Sequence, residues 1–320
     1  MSKYYLGIDI AKNKFDVALL IEEKFKTKSF NNSIKGFTAL LEWINKHCDC
    51  KKLHSCMEAT GIYGNLLATF LAEHGCKISV INPARIKGFS KSEMLRTKTD
   101  KEDCMLIARF CKAMSPELWK PAPKHIQLLQ SLVRRLESLI AIKQQEENRL
   151  AVTTEMPVKD SINTVIELIE EQIIEIKNQI NDCIGNDKQL NKKRKLLETI
   201  PGVGEATINT VLAFLIGAEH FDSAKQMAAF LGLTPRHHES GKSVRGRTRI
   251  SKVGDSQLRK TLYFPAIVAK QHNPIIKAFC DRLEKNGKTK MQIICAAMRK
   301  LIHIIFGVLK SQKPFDPKMA

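Results

Sequence analysis

Three short β-rich runs follow one another at the N-terminus with tight connections: residues 3–10 (KYYLGIDI), 14–21 (KFDVALLI) and 25–30 (FKTKSF). Aromatic and β-branched runs this close together form adjacent strands, so one side of a sheet exists before any helix is made. The pattern then changes. Phe37, Leu40, Leu41 and Ile44 recur at helical spacing between Ser33 and His47. A strand at 53–58 (LHSCME), a helix from about Gly61, a strand KISVINP ending at Pro83 and a helix from Thr99 to Met114 complete the order βββαβαβα. Thr99 is placed to cap that last helix. The order predicts a mixed sheet with helices on its faces.

WKPAPK, 119–124, reads as a linker. Beyond it, Leu129, Leu132, Leu136 and Leu139 precede Pro157, and Ile162, Ile166, Ile169, Ile173, Ile176 and Ile180 follow it at alternating spacings of four and three. This is a heptad seam. Proline does not continue a helix easily, so two antiparallel helices are expected, paired with each other or with another subunit.

The last third opens on KKRKLL and continues ETIPGVGEATINTVLAFLI. A helix, a tight turn and a second apolar helix resemble a helix-hairpin-helix. Gly202 and Gly204 would let backbone N–H groups approach a phosphate at the second helix; a plain helical turn uses the same glycines. Residues 236–252 (RHHESGKSVRGRTRISK) lack apolar periodicity and hold Arg236, Lys242, Arg245, Arg247, Arg249 and Lys252 against one acid, Glu239. They predict a flexible basic loop, either solvated or bound to a polyanion. Helices are expected at about 254–270, bent at Pro265, and at 288–311. The implied domains are 1–118, 119–190 and 191–320.

Composition narrows the partner. Lys and Arg number 52 against 33 acids, a formal net charge of +19, and hydrophobic residues make up 43% of the chain. A folded protein this basic points to nucleic acid. The nine cysteines lie scattered through apolar stretches, as reduced thiols of a cytosolic protein do. His47-Cys48-Asp49-Cys50 has no second pair at zinc spacing and reads as a loop, with zinc as the alternative. The N-terminus shows no signal-peptide core. The apolar run IICAAMRKLIHIIFGVL is interrupted by Arg299, Lys300 and His303, which argues against a membrane span.

Four acids stand out. Asp100 and Asp103 share a helix face among Arg96, Lys98 and Lys101, an arrangement that repels unless something positive lies between. Asp9 lies within an apolar strand and Glu58 ends another, where a carboxylate is poorly solvated. Neighbouring central strands would bring Asp9 and Glu58 together, with the Asp100 helix across their ends. Oxygen donors gathered in this way suit magnesium.

LGIDIAKNKFDV, CMEATGIYG, INPARIKGF and RTKTDKEDC resemble the N-terminal signature of the insertion-sequence one-ten family of bacterial transposases. RKLLETIPGVGEATINTVLAFLIG, FLGLTPRHHESGKSVRGRTRISKVG and MRKLIHIIFGVLKS resemble its second module. The resemblance covers nearly the whole chain. It implies an RNase H/RuvC-like mixed sheet, a helical coiled-coil middle region and a mainly helical C-terminal domain with the helix-hairpin-helix-like element. It further implies Asp9, Glu58, Asp100 and Asp103 as ligands of Mg2+ or Mn2+, and Ser240 as catalytic nucleophile. Donor and target DNA, a structured bridge RNA and a homo-oligomer, dimer or tetramer, are the implied partners, in the cytoplasm at the nucleoid. Gly202, Gly204, Lys242, Arg245, Arg247, Arg249 and Lys252 are the expected nucleic-acid contacts. Under this reading Ser240 attacks a phosphodiester and forms a phosphoserine link to DNA. Two rivals use the same residues: a RuvC-like hydrolytic nuclease with Ser240 structural, and a binding protein that cuts nothing. His237 and His238 are assigned no catalytic part.

Overall fold

In the computed structural model, residues 4–59, 61–93, 99–215, 221–236, 239–240, 244–245 and 249–319 are described. They fall into two compact units, Met1–Pro121 and Ala122–Ala320.

The first unit is built on five strands, β1 (Tyr4–Ile10), β2 (Lys14–Ile21), β3 (Lys24–Asn31), β4 (Leu53–Glu58) and β5 (Lys77–Ile81). Their spatial order is β3-β2-β1-β4-β5. The β1–β2 and β2–β3 pairs are antiparallel, and β1–β4 and β4–β5 are parallel. This is the RNase H/RuvC-like sheet. Alternation along β1 decides its two faces. Leu6, Ile8 and Ile10 pack with Phe37, Leu40 and Ile44 of α1 (Ile34–Asn45) and Leu67 and Leu71 of α2 (Asn65–Glu73). On the other face Cys56 and Ile81 pack with Ile86 of α3 (Pro83–Ser92) and Leu106, Ile107 and Phe110 of α4 (Asp100–Met114). The sheet is therefore covered on both sides.

The α3 helix is a correction, since the sequence reading ran from β5 to Thr99 without one. Asn82 caps it, its side chain accepting from Ala84 N, and Pro83 stands in its first turn, where a missing N–H costs nothing. The linker at 119–124 is tied to the sheet at its start, because Trp119 N donates to Ile78 O at 2.7 Å.

In the second unit α5 (Lys124–Val152) and α6 (Met156–Gly185) form a long helical hairpin. Contacts between Lys143 and Glu170 and between Cys183 and His125 O show that the helices run antiparallel. The heptad residues Leu129, Leu132, Leu136 and Leu139 are buried. The near half of the hairpin shares one core with α7 (Lys188–Glu198), α8 (Glu205–Phe214), α9 (Ala224–Phe230) and four later helices. Those are α10 (Ser256–Lys260), α11 (Tyr263–His272), α12 (Pro274–Lys285) and α13 (Lys290–Ser311).

The expected bent helix at 254–270 is thus two helices, α10 and α11, with Pro265 harmless in the first turn of α11. The α12 helix was not anticipated. Its break from α11 is made by buried Asn273, whose Oδ1 accepts from Ile275 N and Ile276 N, followed by Pro274. By length and hydropathy α13 could cross a bilayer. Ile293, Ala297, Leu301, Ile305 and Val308 bury one stripe of it in the core, as a central helix of a folded unit requires.

Candidate active site

Asp9 sits on the central strand, opposite Asp16 of β2. On its other side β4 pairs Met57 with Ile8, so Glu58, one residue on, lies alongside Asp9 and on the same face. Gly7 admits α4 to that face. A Cβ on Gly7 would collide with Cys104 O and Ala108 N of α4, which is why this strand position carries no side chain. The first turn of α4 thereby comes down over the sheet. Thr99 Oγ1 caps it by accepting from Glu102 N at 3.2 Å. Asp100, Glu102 and Asp103 occupy that turn, where the positive end of the helix dipole favours acids.

Asp9 is held above the usual carboxylate range, chiefly by burial, then by the charges of Asp103, Asp100 and Asp16. Asp100 is lowered by its hydrogen bond from Lys14. The Lys14 ammonium bridges Asp100 at 2.9 Å and Asp16 at 3.0 Å, and Ser29 Oγ donates to Asp16 as well. Lys14 is raised in turn by those same two partners. So the sheet end holds a cluster of acids with one bridging ammonium. Hard oxygen donors of this kind fit a divalent ion such as magnesium or manganese. Among the described residues no three of these carboxylates bring their oxygens within 4.8 Å of one another.

Asp16 is the site residue missed from sequence. Its signal was present: an acid in KFDV, on an otherwise apolar strand, falls opposite Asp9 once the hairpin register is written out. Arg96 and Lys98 lie outside the described residues, and Lys101 is exposed on α4.

A second group, His54, Cys56 and Cys111, does bring its ligand atoms within 4.8 Å. It lies deeper on the same sheet face and is buried. Ser79 Oγ donates to Pro116 O at 3.1 Å and accepts from His54 Nε2 at 2.8 Å. Burial keeps His54 neutral, and the thiol of Cys111 donates to His54 O. These residues pack as small core side chains do. The zinc alternative at His47–Cys50 finds His47 Nδ1 bonded to Trp43 O at 2.8 Å and Cys48 pushed up to about 11 by burial.

The serine-bearing segment departs from the expected flexible loop. Pro235–Arg236 (β6) pairs with Arg249–Ile250 (β9), and Glu239–Ser240 (β7) pairs with Val244–Arg245 (β8). Two short antiparallel ladders therefore stand in this basic segment, the β7–β8 hairpin carrying the serine. Strands of two residues are too short to leave an alternating apolar signal. Ser240 stands on β7, opposite Val244. The side chains of Ser240 and Arg245, and residues Lys242, Arg247, His237 and His238, lie outside the described residues. Arg249 and Lys252 are exposed. The hairpin belongs to the second unit and the acids to the first.

The two glycines of the PGVG turn differ. Gly202 has φ +94° and faces Ala269 of α11, where an added Cβ would meet backbone at 2.7 Å. Gly204 precedes α8 as its N-cap, with open space where a side chain would be. Of the two, Gly204 leaves room for a phosphate.

Two family models match the chain. One, a transposase model of the DEDD type, DEDD_Tnp_IS110, matches residues 6–153, and another, of the IS116/IS110/IS902 transposase family, matches residues 194–281. The pilin gene-inverting proteins of Moraxella lacunata and Moraxella bovis are each 36% identical over 100% of this chain and 99% of their own length. The transposase for insertion sequence element IS1111A of Coxiella burnetii is 24% identical over 97% of this chain and 90% of its own. A DEDD-type match goes with a carboxylate-held divalent metal. With a RuvC-like sheet carrying clustered acids and full-length similarity to such proteins, the chain belongs to the IS116/IS110/IS902 family of transposases, DNA-binding enzymes that transfer DNA strands.

Proposed function

We propose that this transposase cuts and rejoins DNA through a covalent phosphoserine intermediate, with Asp9, Glu58, Asp100 and Asp103 as its metal ligands and Ser240 as its nucleophile. The observation that carries the reading is the placement of the acids: Asp9 lies on the central strand level with Glu58, and Asp100 and Asp103 stand in the first turn of α4, which packs over that strand at Gly7. Bound there, Mg2+ or Mn2+ supplies Lewis acidity to the phosphodiester oxygens. The Ser240 oxygen forms a bond to phosphorus, the bond from phosphorus to the sugar oxygen breaks, and that oxygen leaves with a proton. The ester keeps the energy of the broken link, so rejoining needs no nucleotide triphosphate. Basic side chains on the hairpin, Arg249 and Lys252 among them, are suited to steady the phosphate charge.

Donor and target DNA are the substrates, and inversion of a DNA segment, which the Moraxella relatives are named for, is within this chemistry. A structured bridge RNA selects both duplexes. Copies of the chain associate through the outer half of the α5–α6 hairpin. Val152, Met156, Val158 and Leu168 are exposed there, from 49% to 80%, which is costly for a lone hairpin. The enzyme works in the cytoplasm at the nucleoid, where its nine free cysteines and charge of +19 suit reduced surroundings and polyanions.

The test is strand cleavage by purified protein carrying its co-bound RNA, with denaturing gels to trap protein–DNA adducts. A labelled adduct that disappears in Ser240→Ala is expected. A free 5′ phosphate without an adduct would establish the hydrolytic rival instead. Asp103→Asn is expected to abolish Mg2+-dependent cleavage, and normal cleavage by that variant would remove the metal role. Ribonuclease treatment that leaves cleavage intact would remove the RNA.

A further inference from the structure

We propose that a cleft at the base of the serine-bearing hairpin holds one unpaired nucleotide of the strand being exchanged, its base on an apolar floor and its phosphates on a rim of cations. The inference rests on the reading that Ser240 acts on a nucleic-acid strand.

The cleft lies in the second unit, walled by β9, α12 and the first half of α13, and measures about 880 Å³. That is within the roughly 300–1,000 Å³ of ligand sites. Leu233, Ile250, Phe279 and Leu283 form the apolar side, and Ala296 of α13 completes it. Arg249, Lys252, Lys288, Arg299 and Lys300 stand around it, and the described lining includes no Asp or Glu.

The combination selects its occupant. A free phosphate has no use for the apolar floor. An apolar partner helix has no use for five cations without a balancing acid. An unpaired nucleotide offers a flat π-face and an anion in one unit, which is how single strands are held elsewhere: stacking on an aromatic beside a basic groove. Phe279 is the aromatic present. A base also has polar edges to satisfy. His303 meets that need, since it lines the cleft and its buried Nε2 has no hydrogen-bond partner among the described residues. Burial, Arg299, Lys300 and Lys225 hold its imidazole below the ordinary range and therefore neutral, able to donate from one nitrogen and accept at the other.

Position supports the assignment. Arg249 lines the cleft and is paired with Arg236 of β6. Ser240 follows Arg236 by four residues, at most about 14 Å of extended chain. A stacked strand advances about 3.4 Å per nucleotide. A base in the cleft and the phosphate attacked by Ser240 thus fall within about four nucleotides of one strand. Breaking and re-pairing strands requires bases to leave their partners, and a pocket for one of them lowers that cost.

The experiment uses the full-length protein with Asp9→Asn, so that the probe strand stays whole. Single-stranded 12-mers carrying one 5-iodo-2′-deoxyuridine, or 5-iodouridine in an RNA arm, are crosslinked by light and the modified peptides mapped. Affinities for the single strand and for a duplex of equal length are read by anisotropy. Crosslinks are expected on the α12 and α13 peptides that contain Phe279 or Met291. Crosslinking in the DNA arm supports the proposal, and crosslinking confined to the RNA arm overturns it by assigning the cleft to a strand that is not exchanged. Ala296→Phe fills the floor without changing charge and is expected to weaken the single strand about tenfold while sparing the duplex. Met291→Glu, at an exposed position on the rim, is expected to weaken the single strand without disturbing the fold.

Crosslinks confined to other segments, or wild-type single-strand affinity in both variants, would overturn the proposal. So would equal loss for duplex and single strand, or a change of oligomeric state in place of a change in binding. If the cleft crosslinks and no serine adduct ever forms with the wild-type protein, the serine chemistry fails and the cleft stands. If the adduct forms and the cleft binds nothing, the reverse holds.

Discussion

Replacing Gly202 by alanine separates packing from phosphate binding in the PGVG turn. At φ +94° an added Cβ would lie 2.6 Å from the Cβ of Ala269 and 2.7 Å from its Cα and N. Ordinary contact begins near 3.4 Å, so α11 would have to retreat by about 0.8 Å. Ala269 is fully buried, and Asn273 Nδ2 donates to Pro201 O in the same turn. Overpacking of this kind costs about 1–3 kcal/mol, and a left-handed backbone on alanine roughly 1–2 more. Stiffening of the unfolded chain offsets about 0.4–1. The net is a loss of roughly 1–5 kcal/mol. With a urea slope of about 2 kcal/mol/M, the helical circular-dichroism midpoint of the second unit should fall by roughly 0.5–2.5 M. Both tryptophans, Trp43 and Trp119, lie in the first unit, so their fluorescence transition should stay in place and serve as an internal control. Gly204→Ala has open space and an ordinary φ of −90°. It should shift the midpoint little and weaken DNA binding if the N-terminus of α8 takes a phosphate. The packing account is refuted if Gly202→Ala melts like wild type and loses DNA affinity instead.

Gly7→Ala should push α4 off β1 and misplace Asp103; a displacement near 1 Å can cost about 100-fold in rate, measured as Mg2+-dependent cleavage, whereas exposed Gly88→Ala, with nothing near its added Cβ, should be neutral or mildly stabilising. Asp9 has a raised folded pKa, so its unfolded form loses the proton first. Without metal the folded state should therefore weaken as pH rises from the ordinary Asp value of 3.8 to the raised one and then level off. Asp9→Asn should remove that fall, seen in thermal melts at successive pH values. Manganese at a hundred times its Kd should add about 2.7 kcal/mol of stability, and chelation should reverse it; no gain in wild type would contradict a metal at the acids. Lys14→Met leaves Asp16 and Asp100 without their ammonium and should bind Mn2+ severalfold tighter by titration calorimetry.

Much of the first unit was legible because its strands are half-buried and obey a period of two. The approximate strand bounds and the Thr99 cap follow from local pattern. Asp16 was hidden because its meaning lies in register, not in its own neighbourhood. The α12 helix was hidden for a related reason: Asn273-Pro274 restarts a helix after a single residue, and apolar periodicity runs across the break. Strands β6 to β9 are two residues each, too short to leave an alternation to read. Gly202 was legible as a position of close approach, and the structure places Ala269 of α11 against it.

Strand β3 forms one margin of the sheet, and among the described residues its outward edge has no sixth strand beside it. Lys24, Lys26 and Lys28 recur there at every second position, all exposed. A copy arriving edge to edge would set its own ammonium row against this one. Molecules crowded on a shared polyanion would thereby be kept from zipping together along this edge.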